Sequence, residues 1–305
     1  METSEDSFHR LSLDDTIRKT FALYRSGWKV LTALSTLMVA LDGVLWAVCL
    51  VAIVPALKID GERYADPEYM LKHLGQFYIV IALRVVANLL VNSLFMGPMI
   101  LGVVDVFLGR SPDFKTCMAE GIPRARALFA VSVMGFFAIS LGLMVLIVPG
   151  YYLAVRWIFV GQVVVIEGLG AVASFRRSWQ LSKGSWCYIF CTALIFYVVV
   201  IVAQFAWSNL VVGGDDINRS TLSFWGSLIS ALPGIVVVPV MSVLMTLMYL
   251  NMRIEKEGMN EDVLINDLGA MGVSEADYRP LEDDGDDEEP AQSPEEAEES
   301  VDEVV

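Results

Sequence analysis

The side chains of this 305-residue chain that could do chemistry away from water are ionisable or amide groups set inside long apolar runs: Asp42, Arg84, Asn88, Asn92, Asp105, Arg156 and Glu167. Such groups are costly at membrane depth. They mark a polar pathway, a lipid-headgroup pocket or a structural ion pair. Arg84, Asn88 and Asn92 recur at i, i+4, i+8, so a helix gathers them into one polar stripe that must face protein or water. Asp42 matches Arg84 across one hairpin. Arg156 and Glu167 are eleven residues apart, about 16 Å along a helix, so each needs a partner on another element. A pathway or headgroup pocket is one reading of these groups. Ion pairs that fix helix register, with snorkelling arginines, are the other. Asp105 and Glu167 also suit a place at the membrane surface.

Other chemistry is scarce. His9 falls in the N-terminal segment and His73 in a loop, so neither joins a buried constellation. Cys187 and Cys191 are four apart, wrongly spaced for a redox pair and without histidine partners for zinc, and read as packing residues. Cys49 and Cys117 are isolated. No phosphate-binding loop, dinucleotide turn, H-E-x-x-H or G-x-S-x-G occurs. A non-enzymatic protein with no catalytic residues, metal or cofactor is expected.

The elements that must position these groups are membrane helices. Hydrophobic residues make up 55% of the chain and mean hydropathy is +0.57, above the range of soluble domains. The net charge of −15 is uneven: residues from Ile254 onward hold 20 acidic and 2 basic residues, and the body before them is slightly basic. This composition excludes a disulfide scaffold, a nucleic-acid binder and a wholly disordered chain. A crossing helix needs roughly 20 apolar residues. Six runs qualify, near 30–57, 77–108, 127–148, 151–172, 186–212 and 222–250. Gly97-Pro98 predicts a kink in the second. Pro149-Gly150 predicts a tight hairpin between the third and fourth. Pro233-Gly234 and Pro239 would break the sixth, as in a transporter's discontinuous helix. The first 28 residues lack a signal-peptide core, so the first span is expected to direct insertion.

Lys and Arg flanking the spans number 14 on one side (among them Arg10, Arg18, Arg124, Arg126, Arg176, Arg177 and Arg253) and 4 on the other (Lys58, Arg63, Lys72 and Arg219). The positive-inside rule then puts both termini in the cytoplasm of a multi-pass inner-membrane protein. Asn218-Arg219-Ser220 is a glycosylation triplet of little weight on the outer side. A short amphipathic helix precedes each hairpin. Its apolar faces are Leu13/Ile17/Phe21/Tyr24, then Phe114/Met118/Ile122, then Phe175/Trp179 with Arg176 and Arg177 on the wet side. Ser111-Pro112-Asp113 caps the second, with proline in its first turn. Each helix ends near a glycine (Gly27, Gly121, Gly184). The pattern is three copies of a surface helix followed by two spans.

Two stretches carry a resemblance. One is Pro149-Gly150-Tyr151-Tyr152-Leu153-Ala154-Val155-Arg156, continuing through Glu167 to Ser178, Leu181 and Gly184. The other is Tyr249 to Gly258, with Arg253, Lys256 and Glu257. Together they resemble the membrane domain fused to some bacterial glycerophosphoryl diester phosphodiesterases and its stand-alone relatives, over residues 10–268. Asn251 and Met252 stand where that family carries an acidic residue. The resemblance implies a membrane fold without phosphodiesterase activity, because the family's chemistry sits on a separate barrel for which this chain has no room.

The chain divides into a cytoplasmic segment (1–29), a six-span all-α membrane domain (30–252), a short helix (253–273) and a disordered acidic tail (274–305). From Asn260, the residues Val263, Leu264, Leu268 and Met271 give that helix an apolar face for docking. The tail suits a solubilising arm or a basic cytosolic partner, not nucleic acid. The expected function is a non-enzymatic protein that organises membrane lipids or partner proteins. The alternative is a small transporter or channel using the polar groups of spans two and four, and a membrane-embedded lipid enzyme is a weaker third. A pathway would bring Arg84, Arg156 and Glu167 to one water-accessible cavity.

Overall fold

The computed structural model describes residues 12–53, 57, 67–212, 231–269 and 279–280. Arg10, Lys58, Arg63, Arg219, the glycosylation triplet, His9, Met271, the start of the sixth predicted span and most of the acidic tail lie outside them. Six helical stretches are long and apolar enough to cross a membrane: Asp14–Val48, Leu74–Phe107, Phe114–Val145, Ile147–Ile166, Trp186–Leu210 and Gly234–Glu257. The protein is an all-α polytopic membrane protein.

Helix α1 runs unbroken over Leu13–Val48. The Ser12 hydroxyl accepts from the Asp15 amide and Asp15 reaches back to Ser12, a capping box that fixes its start. The first surface helix and the first span are therefore one 36-residue element. Gly27 does not end it, because its lack of a Cβ is used for packing: a Cβ there would come within 2.5 Å of Val106. A π-helical turn follows at Cys49–Ile53. Helix α2 is Pro67–Lys72 and α3 is Leu74–Phe107, one element despite Pro98 inside it.

Arg110–Ser111 (β1) pairs antiparallel with Arg279–Pro280 (β2). Helix α4 (Phe114–Gly121) is capped by Asp113, whose carboxylate takes the Thr116 amide at 3.0 Å. That hydrogen bond holds the Asp113 carboxyl below its ordinary value. The cap is thus Asp113 and not Ser111, and Pro112 precedes the helix instead of entering its first turn. A 3₁₀ turn at Ile122–Arg124 leads into α5 (Ala125–Val145). Gly121 sits against Pro98, which a Cβ would approach to 2.3 Å.

The hairpin breaks at Leu146, whose backbone is extended, three residues before the predicted Pro149-Gly150. Both of those lie in the first turn of α6 (Ile147–Arg156). Gly150 there packs on the Leu143 backbone, which a Cβ would approach to 2.5 Å. The fourth span is not one helix. It stops at Arg156 and restarts as α7 (Val160–Ile166), fully buried throughout. The chain continues as α8 (Ala171–Ser182), α9 (Trp186–Val212), α10 (Gly234–Glu257) and α11 (Glu261–Gly269). Pro233 precedes α10 and Pro239 lies inside it without interrupting it. Helices α1, α3 and α10 pack on one another. The core gathers at one end of the bundle, around residues 100–108 of α3, α7 and residues 244–252 of α10. Leu264 and Leu268 dock α11 into this packed end, while Val263 stays exposed.

The predicted apolar faces of the three surface helices are partly covered by protein: Ile17 and Tyr24 of α1, Met118 of α4 and Phe175 of α8 pack against core residues. Along residues 14–29 of α1 the fully buried positions are Thr16, Thr20 and Gly27, while Phe21 is 54% exposed. In α4 they are Cys117 and Gly121, with Ile122 exposed, and in α8 they are Ser174, Ser178, Leu181 and Ser182, with Trp179 exposed. Membrane helices approach one another through small residues, because lipid solvates aromatic side chains as well as protein does.

Candidate functional site

The break between α6 and α7 frees a carbonyl and an amide that the helix would otherwise satisfy. Helix α8 supplies the partners. The Ser178 hydroxyl donates to the Arg156 carbonyl at 2.9 Å and accepts from the Phe159 amide at 3.3 Å, and Ser182 also donates to the Arg156 carbonyl. These hydroxyls let the backbone leave helical form in an apolar setting.

At the far end of α7, Glu167 meets the centre of an ion network. Arg177 donates to Glu167 at 2.7 Å and to Glu257 at 2.7 Å, and the Tyr249 hydroxyl donates to Glu167 at 2.7 Å. Arg253 bonds Glu257 at 3.2 Å and Asp267 of α11 at 2.7 Å. Burial works against the charge of Arg177, but the carboxylates of Glu257 and Glu167 outweigh it and hold the guanidinium above its ordinary value. Lys256 donates to the carbonyls of Leu181 and Lys183, closing the end of α8. There Gly184 turns the chain with φ +86°, a conformation that side chains resist. Residues from both motif stretches, 149–184 and 249–258, thus meet at the packed end: Glu167, Ser178, Leu181, Gly184, Arg253, Lys256 and Glu257.

Arg156 differs from every other arginine of this cluster. Its Nε and Nη2 donate to the Tyr152 hydroxyl at 3.0 and 2.9 Å. The rings of Tyr152 and Trp179 lie 5.1 and 5.0 Å from the guanidinium. Nη1 has no acceptor, and no carboxylate among the described residues pairs with it. Its charge also bears on that of another cation, Lys256. The two rings are partly exposed, Tyr152 at 37% and Trp179 at 36%.

The remaining predicted groups lie elsewhere. Arg84 makes a bidentate pair with Asp42, both contacts at 2.6 Å, and stacks over Trp46. Asn88 and Asn92 are exposed. The stripe is expected to face protein or water, and protein of the single chain does not cover its amides: α1 packs on the Val91 and Phe95 side of α3, and the amides fall beside that contact. Arg84 lies about 18 Å along α3 from Met96, which packs against Gly161 of α7. Asp105 is buried in protein near the end of α3, with the Cys117 thiol 3.9 Å away. Cys187 and Cys191 are exposed and are not packing residues. A cleft of about 260 Å³ lined by Gly184, Ser185, Cys187, Tyr188, Asn251, Met252 and Glu255 touches none of Arg84, Arg156 and Glu167.

Sequence reasoning missed Arg177, Tyr249 and Asp267 as partners and Trp179 as a cage wall. Arg177 sits beside Arg176 and reads as a wet-face charge, yet it bonds inward. The signal that could have found it was Glu167, a carboxylate ten residues away with no other cation near it on its own helix.

No curated protein and no solved structure matches the chain. One family does match, over the stretch that holds all six candidate spans apart from the first turns of α1 and the last of α10: residues 29–252 place the chain in the family described as a domain of unknown function (DUF7847).

Proposed function

We propose that this chain is a non-enzymatic membrane protein that holds anionic lipid at the cytoplasmic leaflet of the cell membrane, with both termini in the cytosol. The observation that carries the reading is the uncompensated guanidinium of Arg156 between two partly exposed aromatic rings. A half-buried cation with no acid beside it calls for an anion. Tyr and Trp favour the headgroup level of a bilayer. A phosphate ester arriving from the lipid side would give Arg156 the acceptor it lacks, and Lys256 adds a second positive charge. The excess of Lys and Arg on the side of α4, α8 and α11 supports the cytoplasmic assignment. The separation of Arg84 from Arg156 and Glu167 favours this reading over a transport pathway. The motif likeness to the phosphodiesterase membrane domain remains part of the proposal and concerns fold alone. The acidic tail, as a docking arm for a basic cytosolic partner, belongs to it as well.

The test is lipid analysis of full-length protein purified in mild detergent. The wild type is expected to retain anionic phospholipid, and Arg156→Gln to retain about a fifth as much or less. Arg84→Gln should keep the lipid while lowering abundance in the membrane. Equal retention by wild type and Arg156→Gln would sink the reading. So would a transport activity lost in a normally folded Arg156→Gln protein.

A further inference from the structure

Asn88 and Asn92 are exposed on α3 at a depth where lipid tails would surround them. They stand 14 and 18 residues from Leu74, about 21 and 27 Å from that end of the helix. An amide there without a hydrogen-bond partner is costly. Neither has a partner among the described residues. They also belong to a longer pattern. Tyr78, Ile81, Val85, Asn88 and Asn92 follow one another at spacings of 3, 4, 3 and 4, the seam of a two-helix coiled contact. The seam sits roughly 80° around α3 from the strip that packs on α1. Tyr78 and Ile81 on it are 64% and 57% exposed.

We propose that two copies of the chain pair along this face of α3 about an axis normal to the membrane. The argument for a second copy is one of depth and chemistry. All copies of a membrane protein share one orientation, so two-fold pairing sets each residue opposite its own counterpart at equal depth. An amide both donates and accepts, so Asn88 meets Asn88 and Asn92 meets Asn92 as complementary partners. The Asp42–Arg84 pair, with side chains 21% and 34% exposed, flanks the seam and is shielded by the same contact.

Single cysteines placed along α3 in full-length protein, with Cys49, Cys117, Cys187 and Cys191 changed to Ala, test this by oxidative cross-linking in native membranes. Covalent dimer is expected at positions 81, 85, 88 and 92, and little at 83 and 90 on the opposite side. The double variant N88L/N92L should stay folded and raise the dimer dissociation constant in bilayers about tenfold, from two membrane hydrogen-bonded pairs. Cross-linking without helical periodicity would overturn the proposal. Monomers in wild-type bilayers by photobleaching would do the same, as would labelling of a cysteine at 88 by a membrane-impermeant thiol reagent, the sign of a water-filled groove. If the leucine variant misfolds, the cross-linking pattern alone decides.

Discussion

Arg84 and Arg156 are both half-buried guanidiniums on candidate spans, and both lie over aromatic rings. They differ in the counter-charge. Arg84 has the carboxylate of Asp42 in a bidentate grip, whereas Arg156 has a phenol and two ring faces, which together supply far less than an ion pair. Arg177 is the third kind, shared between two carboxylates. Removing it leaves Glu167 and Glu257 charged and short of a partner in a site only about a quarter open to solvent. Arg177→Ala is therefore expected to destabilise the protein by about 2–3 kcal/mol. Tyr249→Phe, which deletes one hydrogen bond to the same carboxylate, should cost about 1–2 kcal/mol. Unfolding in mixed micelles checks both. Equal stability of Arg177→Ala and wild type would remove the network from the account.

Small residues share several helix contacts here with buried leucines such as Leu31, Leu34 and Leu181. Thr16, Thr20 and Gly27 are buried in the first part of α1, Cys117 and Gly121 in α4, and Ser174, Ser178 and Ser182 in α8. The clearest case is Gly121 on Pro98. Gly121→Ala puts a methyl into occupied space and should cost about 2 kcal/mol. The same change at exposed Gly75, which has nothing within 4 Å, should be neutral or slightly stabilising. Thermal midpoints of the two variants in one detergent make the comparison, and similar losses at both positions would contradict close packing at Gly121. This pattern also explains what sequence could and could not reveal. The spans were legible because apolar length is dictated by the bilayer. The Asp42–Arg84 pair was legible because two opposite charges fell in the two arms of one hairpin. The positions that the surface helices bury most completely were not, since hydropathy ranks Phe21 and Trp179 above the Thr and Ser beside them, and lipid covers an aromatic side chain as well as protein does. The break at 157–159 left no mark either, because its backbone partners, Ser178 and Ser182, lie on α8 and no proline or glycine signals it.

On the scale of the whole molecule, charge and packing share one end. The core around α7 and the inner part of α10, the Glu167–Arg177–Glu257–Arg253–Asp267 network and the Arg156 cage all sit together, whereas the far half of α9 is exposed on nearly every side. The packed end thus joins a rigid, ion-paired platform to one cation left open at its rim. A ligand that binds only the folded chain raises its stability in proportion to the logarithm of ligand concentration over Kd. The most direct test of the lipid-holding account is the unfolding midpoint of the full-length protein in neutral detergent, titrated with an anionic phospholipid and, separately, with a zwitterionic one. The wild-type midpoint should climb with the anionic lipid and stay flat with the zwitterionic lipid, and Arg156→Gln should stay flat with both. An equal rise for Arg156→Gln, or no rise for the wild type, would contradict the account.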